Sequence, residues 1–181
     1  MNCTAIDTQG WLHEAKRIES PNYDERLATT IELIVIHNIS LPPGEFSGNG
    51  VVELFTNRLN PEEHPYYREI YQRKVSAHFF IRRDGELIQF VSCDKRAWHA
   101  GVSVWQGRER CNDFSIGIEL EGTDDAPFEE AQYLTLTNLL AAIRQHYPVA
   151  GMVGHSDIAP GRKTDPGPFF DWARIKQAGI P

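Results

Sequence analysis

The sequence predicts an α/β or α+β fold, a central mixed β-sheet flanked by helices, in one domain spanning residues 1–181. Three observations carry that expectation. Residues 31–37 (IELIVIH) are a short apolar run rich in β-branched residues, as in a buried strand. Arg83-Asp84-Gly85 separates VSAHFFI from ELIQFV, and Asp-Gly between two apolar runs signals a hairpin turn. Over residues 129–146, Leu136, Leu140, Ile143 and the following Tyr147 recur at helical spacing, and Pro148 closes the helix.

In chain order, the first strand is expected over 31–37 and ends at His37. The Pro- and Gly-rich LPPGEFSGNG that follows is a loop. Short helices are expected over 51–59 and 62–72, flanking Pro61 and Pro65. After the hairpin, residues 97–112 form an irregular stretch carrying Trp98, His99, Trp105 and Arg110. A structureless segment of that length is unusual unless it has a function. A strand over 114–120 should point Phe114, Ile116, Ile118 and Leu120 one way, and Ser115, Gly117 and Glu119 the other. Beyond the 129–146 helix, a short strand over 149–154 leads to His155. A Pro- and Gly-rich loop then runs to Pro168, and a last helix over 171–178 stops at Gly179.

Composition narrows the function. A chain that is 41% hydrophobic and 24% charged has the balance of a soluble globular domain that needs no disulfide staples. No segment is apolar for long enough to span a bilayer, so no membrane partner is expected. A net charge of −7 argues against a nucleic-acid partner, which needs a positive face. The local cluster Arg108 to Arg110 suits a small anionic substrate instead. The N-terminal MNCTAIDTQGWLHEAKR lacks the pattern of a secretory signal, which places the expected location in the cytoplasm. Cys3, Cys93 and Cys111 are odd in number and widely spaced, and are expected as reduced thiols. Nothing implies an obligate protein partner.

Two predicted strands lead into histidines, His37 and His155, and Asp165 follows ten residues after the second. Hydrolysis by zinc needs three protein ligands and one open position, which two imidazoles and a carboxylate satisfy. Asp165 precedes Pro166, which biases its backbone to an extended form. Spacing alone fits many hydrolases, and a histidine at a strand end is commonly structural. Glu119 sits in a strand otherwise made of apolar and small residues. It is either on a solvated face or a general base, since a buried carboxylate is costly unless paired or used. Lys163 lies two residues before Asp165 and is either a solvated loop residue or an oxyanion-stabilising cation.

The segments VIHNISLPPGEFSG, VSAHFFIRRDGELIQFV, DKRAWHAGVS, QGRERCNDFSIGIELEGTD and GHSDIAPGRKTDPGPFFDW, in that order, are far more specific. Together they resemble the N-acetylmuramoyl-L-alanine amidases of the type 2 amidase and peptidoglycan-recognition superfamily. The likeness is greatest to the cytoplasmic amidases of 1,6-anhydro-muropeptides and runs from about residue 10 to 174. It implies one zinc ion held by His37, His155 and Asp165, with Glu119 as catalytic carboxylate and Lys163 as the oxyanion-stabilising cation. It also implies that Asn38, Lys74, Ala97 and Arg110 hold a small anhydro-muropeptide. At Lys74 an arginine is expected, and lysine keeps the charge but loses the two-pronged fit to a carboxylate. Trp98 either stacks on the sugar or anchors its loop, and His78 and His99 are expected to be structural. The implied reaction cuts the amide between muramic acid and L-alanine during cell-wall recycling. The donor set by itself also admits iron or manganese. Two alternatives share the resemblance: a non-catalytic peptidoglycan-binding module, expected to lack a ligand or the acid, and a zinc peptidase cutting within the stem peptide. All five chemical residues are present here.

Overall fold

The computed structural model describes residues 5–27 and 29–177. In chain order its elements are β1 (Lys16–Arg17), β2 (Tyr23–Glu25), β3 (Leu33–Ile39), α1 (Gly50–Phe55), α2 (Pro65–Ile70), β4 (Phe79–Ile81), β5 (Leu87–Gln89), β6 (Lys95–Ala97), β7 (Val104–Trp105), β8 (Arg108–Glu109), β9 (Ser115–Glu121), α3 (Glu130–His146), β10 (Gly151–Gly154), α4 (His155–Ile158) and α5 (Trp172–Gln177). Six strands form one sheet in the order β1-β5-β4-β9-β3-β10. Only the β4–β5 hairpin pairs antiparallel there, so the sheet is mixed as expected.

The two central strands, β3 and β9, are apolar because both sheet faces are covered. On one face Ile34, Ile36, Ile116, Ile118 and Leu120 pack against Leu136, Leu139, Leu140 and Ile143 of α3. The helix is fastened by Gln132. Its Nε2 donates to the carbonyls of Ile81 and Glu121, while its Oε1 accepts from the Glu129 backbone N–H. On the other face Leu33 and Val35 meet Ala100, Cys111 and Ile158, and Phe80 meets α1 and α2 through Leu54, Phe55 and Ile70. Strand alternation sends His37 and Glu119 to this second face.

Several expectations shift. β3 continues two residues past His37, so that histidine lies inside a strand and not at its end. All seven residues of β9 are buried, which removes the solvated face considered for Glu119. Phe114 does not share the direction of Ile116. It follows a 3-10 turn at Cys111–Asp113, ahead of the strand, and packs with Leu33 and Val35. α1 stops early, with Asn57 at a positive φ of 59°, and α2 starts at Pro65, behind a His64 whose ring accepts from the Tyr66 N–H. The irregular stretch holds a small β7–β8 hairpin. Gln106 and Gly107 turn it with φ of 49° and 80°, the type I′ signature. Tyr147 leaves the helical stripe for an extended end position, where its hydroxyl donates to Asp94 Oδ1. Cys93 and Cys111 are buried free thiols. Cys3 and the expected helix stop at Gly179 lie outside the described residues. Among those described, no helix is long and apolar enough to cross a membrane.

Candidate active site and metal centre

The site forms at the C-terminal ends of β3 and β9, where parallel pairing sets His37 opposite Glu119. His155 arrives from β10, the neighbour of β3, as the first residue of α4. Asp165 comes from the loop that follows, and its carbonyl accepts from the Ser156 N–H. His37 Nδ1 is 3.0 Å from His155 Nδ1 and 3.0 Å from Asp165 Oδ2, and His155 Nδ1 is 3.1 Å from the same oxygen.

These three atoms suit a cation better than one another. His155 Nε2 lies 3.0 Å from the Ala100 carbonyl, which can only accept, so a neutral His155 keeps its proton there and leaves Nδ1 bare. A bare imidazole nitrogen then faces a carboxylate oxygen with no hydrogen between them. A tetrahedral ion with bonds of about 2.0–2.1 Å sets its ligand atoms roughly 3.3 Å apart, close to the observed triangle. His37, His155 and Asp165 can therefore hold a metal ion. Both imidazoles are inside the protein, 1% and 2% exposed, and burial pushes His37 down to about 4, so it is neutral and available as a ligand.

Glu119 is 8% exposed, and its Oε2 is buried without a hydrogen-bond partner. Burial first, and the Asp165 carboxylate second, push its pKa well above the ordinary value, while Lys163 pulls the other way. A buried carboxylate with a free oxygen is costly as a mere packing group. A raised pKa suits it to take and return a proton near neutrality.

His37, Glu119, His155, Lys163 and Asp165 all border a cavity of about 780 Å³. The four positions assigned to substrate are scattered. Asn38 borders the cavity, and its amide donates to Asp124 Oδ1 and to the Pro166 carbonyl, clasping two loops. Ala97 is fully buried opposite Tyr23 and stays behind the wall. Lys74 is exposed beyond the lining, which contains its neighbour Arg73 instead. Arg110 is also outside the lining, exposed and paired with Asp113 at 3.1 Å. Trp98 lines the cavity, with its indole N–H donated to Asp24 Oδ2 and its backbone bonded to Ser76 both ways. His78 matches its structural expectation, buried with Nδ1 accepting from the Gly117 N–H. His99 does more than expected, since its Nδ1 lies 2.9 Å from His37 Nε2. Its signal was present in the Ser115-x-Gly117-x-Glu119 alternation, whose two small residues leave room for a ring.

A helix-flanked mixed sheet whose donor set could hold a metal ion fits a class of hydrolases with such centres, and the comparisons narrow the class. The profile of the N-acetylmuramoyl-L-alanine amidase family matches residues 27–168, and the chain belongs to that family of amide-bond hydrolases. The chain is 58% identical over 171 residues to the 1,6-anhydro-N-acetylmuramyl-L-alanine amidase AmpD of Escherichia coli K12, covering 93% of each. It superposes on a crystal structure of a selenomethionine derivative of AmpD with a TM-score of 0.92 at 57% identity, covering 94% of this chain and 97% of that one. It also resembles E. coli AmiD in complex with anhydro-N-acetylmuramic acid-L-Ala-D-gamma-Glu-L-Lys. That match has a TM-score of 0.65 at 29% identity, over 98% of this chain and 66% of that one.

Proposed function

We propose that this protein is a cytoplasmic zinc amidase that releases L-alanine-headed stem peptides from 1,6-anhydro-N-acetylmuramic acid during cell-wall recycling. The observation that carries the reading is the His37–His155–Asp165 triangle beside the unpartnered Glu119 oxygen. The names of the similar amidases and the muropeptide bound to AmiD support the substrate class. Buried free thiols at Cys93 and Cys111 fit a reducing compartment.

When bound by the three side chains, zinc supplies Lewis acidity and brings the pKa of water toward neutrality. Glu119 accepts the proton of the attacking water and hands it to the departing amine of L-alanine. Lys163, at the cavity rim, offsets the negative charge that develops on the carbonyl oxygen. Trp98, held by Asp24, offers a fixed aromatic face to the sugar, and Asn38 keeps the loops around the peptide in register. Arg73, on the cavity lining, is placed to meet the peptide's carboxylate, while Lys74 and Arg110 add positive charge outside it. Ala97 lies buried behind the lining, next in sequence to Trp98.

Mass spectrometry of products from anhydro-muropeptide, with and without a chelator, tests this. Free anhydro-muramic sugar plus intact stem peptide, abolished by chelator and restored by zinc, is the expected result. Cleavage within the stem peptide, or no cleavage by metal-loaded protein, would overturn it.

A further inference from the structure

We propose that His99 is a positioning residue that, with Ser115 behind it and Gly117 making room for it, locks His37 in the tautomer that leaves Nδ1 free for a metal ion. The inference rests on the zinc reading above and concerns residues outside the metal triangle, of which His99 also borders the cavity.

Two imidazole nitrogens 2.9 Å apart, His37 Nε2 and His99 Nδ1, can share only one proton. If His99 carried it, a neutral His37 would hold its own proton on Nδ1, facing His155 and Asp165 and blocking the site. The reverse order leaves Nδ1 bare: His37 Nε2–H donates to His99 Nδ1, and the His99 proton sits on Nε2. That nitrogen lies 3.1 Å from Ser115 Oγ, which can accept it. A hydroxyl accepts as readily as it donates, so Ser115 permits this direction, and it is the one direction of the Ser115–His99–His37 chain that leaves His37 Nδ1 bare for a metal ion. An outer partner of this kind orients a metal-binding histidine and raises its basicity.

Gly117 is the second, independent observation. A Cβ built there would lie 2.4 Å from His99 Cγ and 2.6 Å from Nδ1, so any side chain at 117 displaces the ring. Ser115, Gly117 and Glu119 are successive positions on one face of β9. The first ends the relay, the second seats the ring and the third faces the site. His155 needs no such device, because the Ala100 carbonyl sets its tautomer and Arg162 Nη2 holds that carbonyl at 2.7 Å.

The test starts with the metal-free parent protein. Its imidazole ¹⁵N spectrum should show His37 as the Nε2–H form, and an Nδ1–H form would overturn the proposal. Zinc affinity is then read by competition with a chromophoric chelator. His99→Ala and Gly117→Ala should each weaken it about 10–100-fold. His99→Asn, whose Oδ1 can stand in for Nδ1 as acceptor, should recover most of the loss. The His99→Ala spectrum should show both His37 tautomers. Parent-like affinity in His99→Ala, with an unchanged His37 spectrum, would overturn the positioning role. Failure of the parent itself to bind zinc would instead remove the zinc reading, a distinguishable outcome.

Discussion

The cavity has two unlike walls. One is sheet: His37 and Glu119, buried on paired strands and tied by register, with the partly buried His99 packed on them from a loop. The other is loop: Lys163, Asp124 and Arg73 on connections with side chains reaching solvent. Groups that must be ångström-accurate sit on the sheet, where hydrogen-bond register fixes them. The charged groups at the opposite side of the cavity sit on loops. Asp165 bridges the two, a loop residue completing a triangle whose other corners rest on the sheet framework.

That contrast predicts unequal effects. Glu119→Gln should reduce kcat by about 10²–10⁴-fold while zinc content, read by elemental analysis, stays at the parent level. A variant that turns over like the parent would break the assignment of the proton carrier to the sheet wall. Lys163→Ala should follow, with kcat lowered by about 10²-fold and KM little changed, because the charge it meets exists only in the transition state. A rise in KM with kcat intact would make it a binding residue. Asn38→Ala, which undoes the clasp between Asp124 and Pro166, should act more weakly and mainly on KM in steady-state kinetics. Equal losses from Asn38→Ala and Glu119→Gln would erase the distinction between the walls.

A separate effect, on stability and not on turnover, arises behind the sheet wall. His78 is buried, and burial first and Arg26 second depress it to about 3 from an ordinary 6.5. Between those values the unfolded chain binds a proton that the folded chain refuses. Stability from this group is therefore full above pH 6.5 and drains as pH falls toward 3, at about 1.4 kcal/mol per pH unit for one proton. Urea melts across that window should show a shallower slope in His78→Asn than in the parent. An unchanged slope would mean that His78 is already protonated in the fold.

The walls also differ in how well they can be read from sequence. The β-branched run before His37, the Asp-Gly turn and the α3 stripe were legible because strand, turn and helix each impose a short-range pattern. Alternation also gave the facing of Glu119 but not its burial, since nothing in the strand's own residues says that a loop carrying His99 covers that face. His99 was passed over because its partner, His37, is 62 residues away and only the folding of an irregular loop, held at Asn112 and Ser115, brings them together. Loop positions have no period at all. Lys163 and Asp165 were singled out by spacing, but only the family resemblance chose a role for each, and one residue of loop geometry decides whether Arg73 or Lys74 faces the cavity.

Metal stoichiometry in a set of purified variants addresses the shared site most directly. The account predicts one zinc per chain in the parent and in Glu119→Gln, and none retained after chelation and reloading in His37→Ala, His155→Ala or Asp165→Ala. Full zinc occupancy in any of those three alanine variants would contradict it.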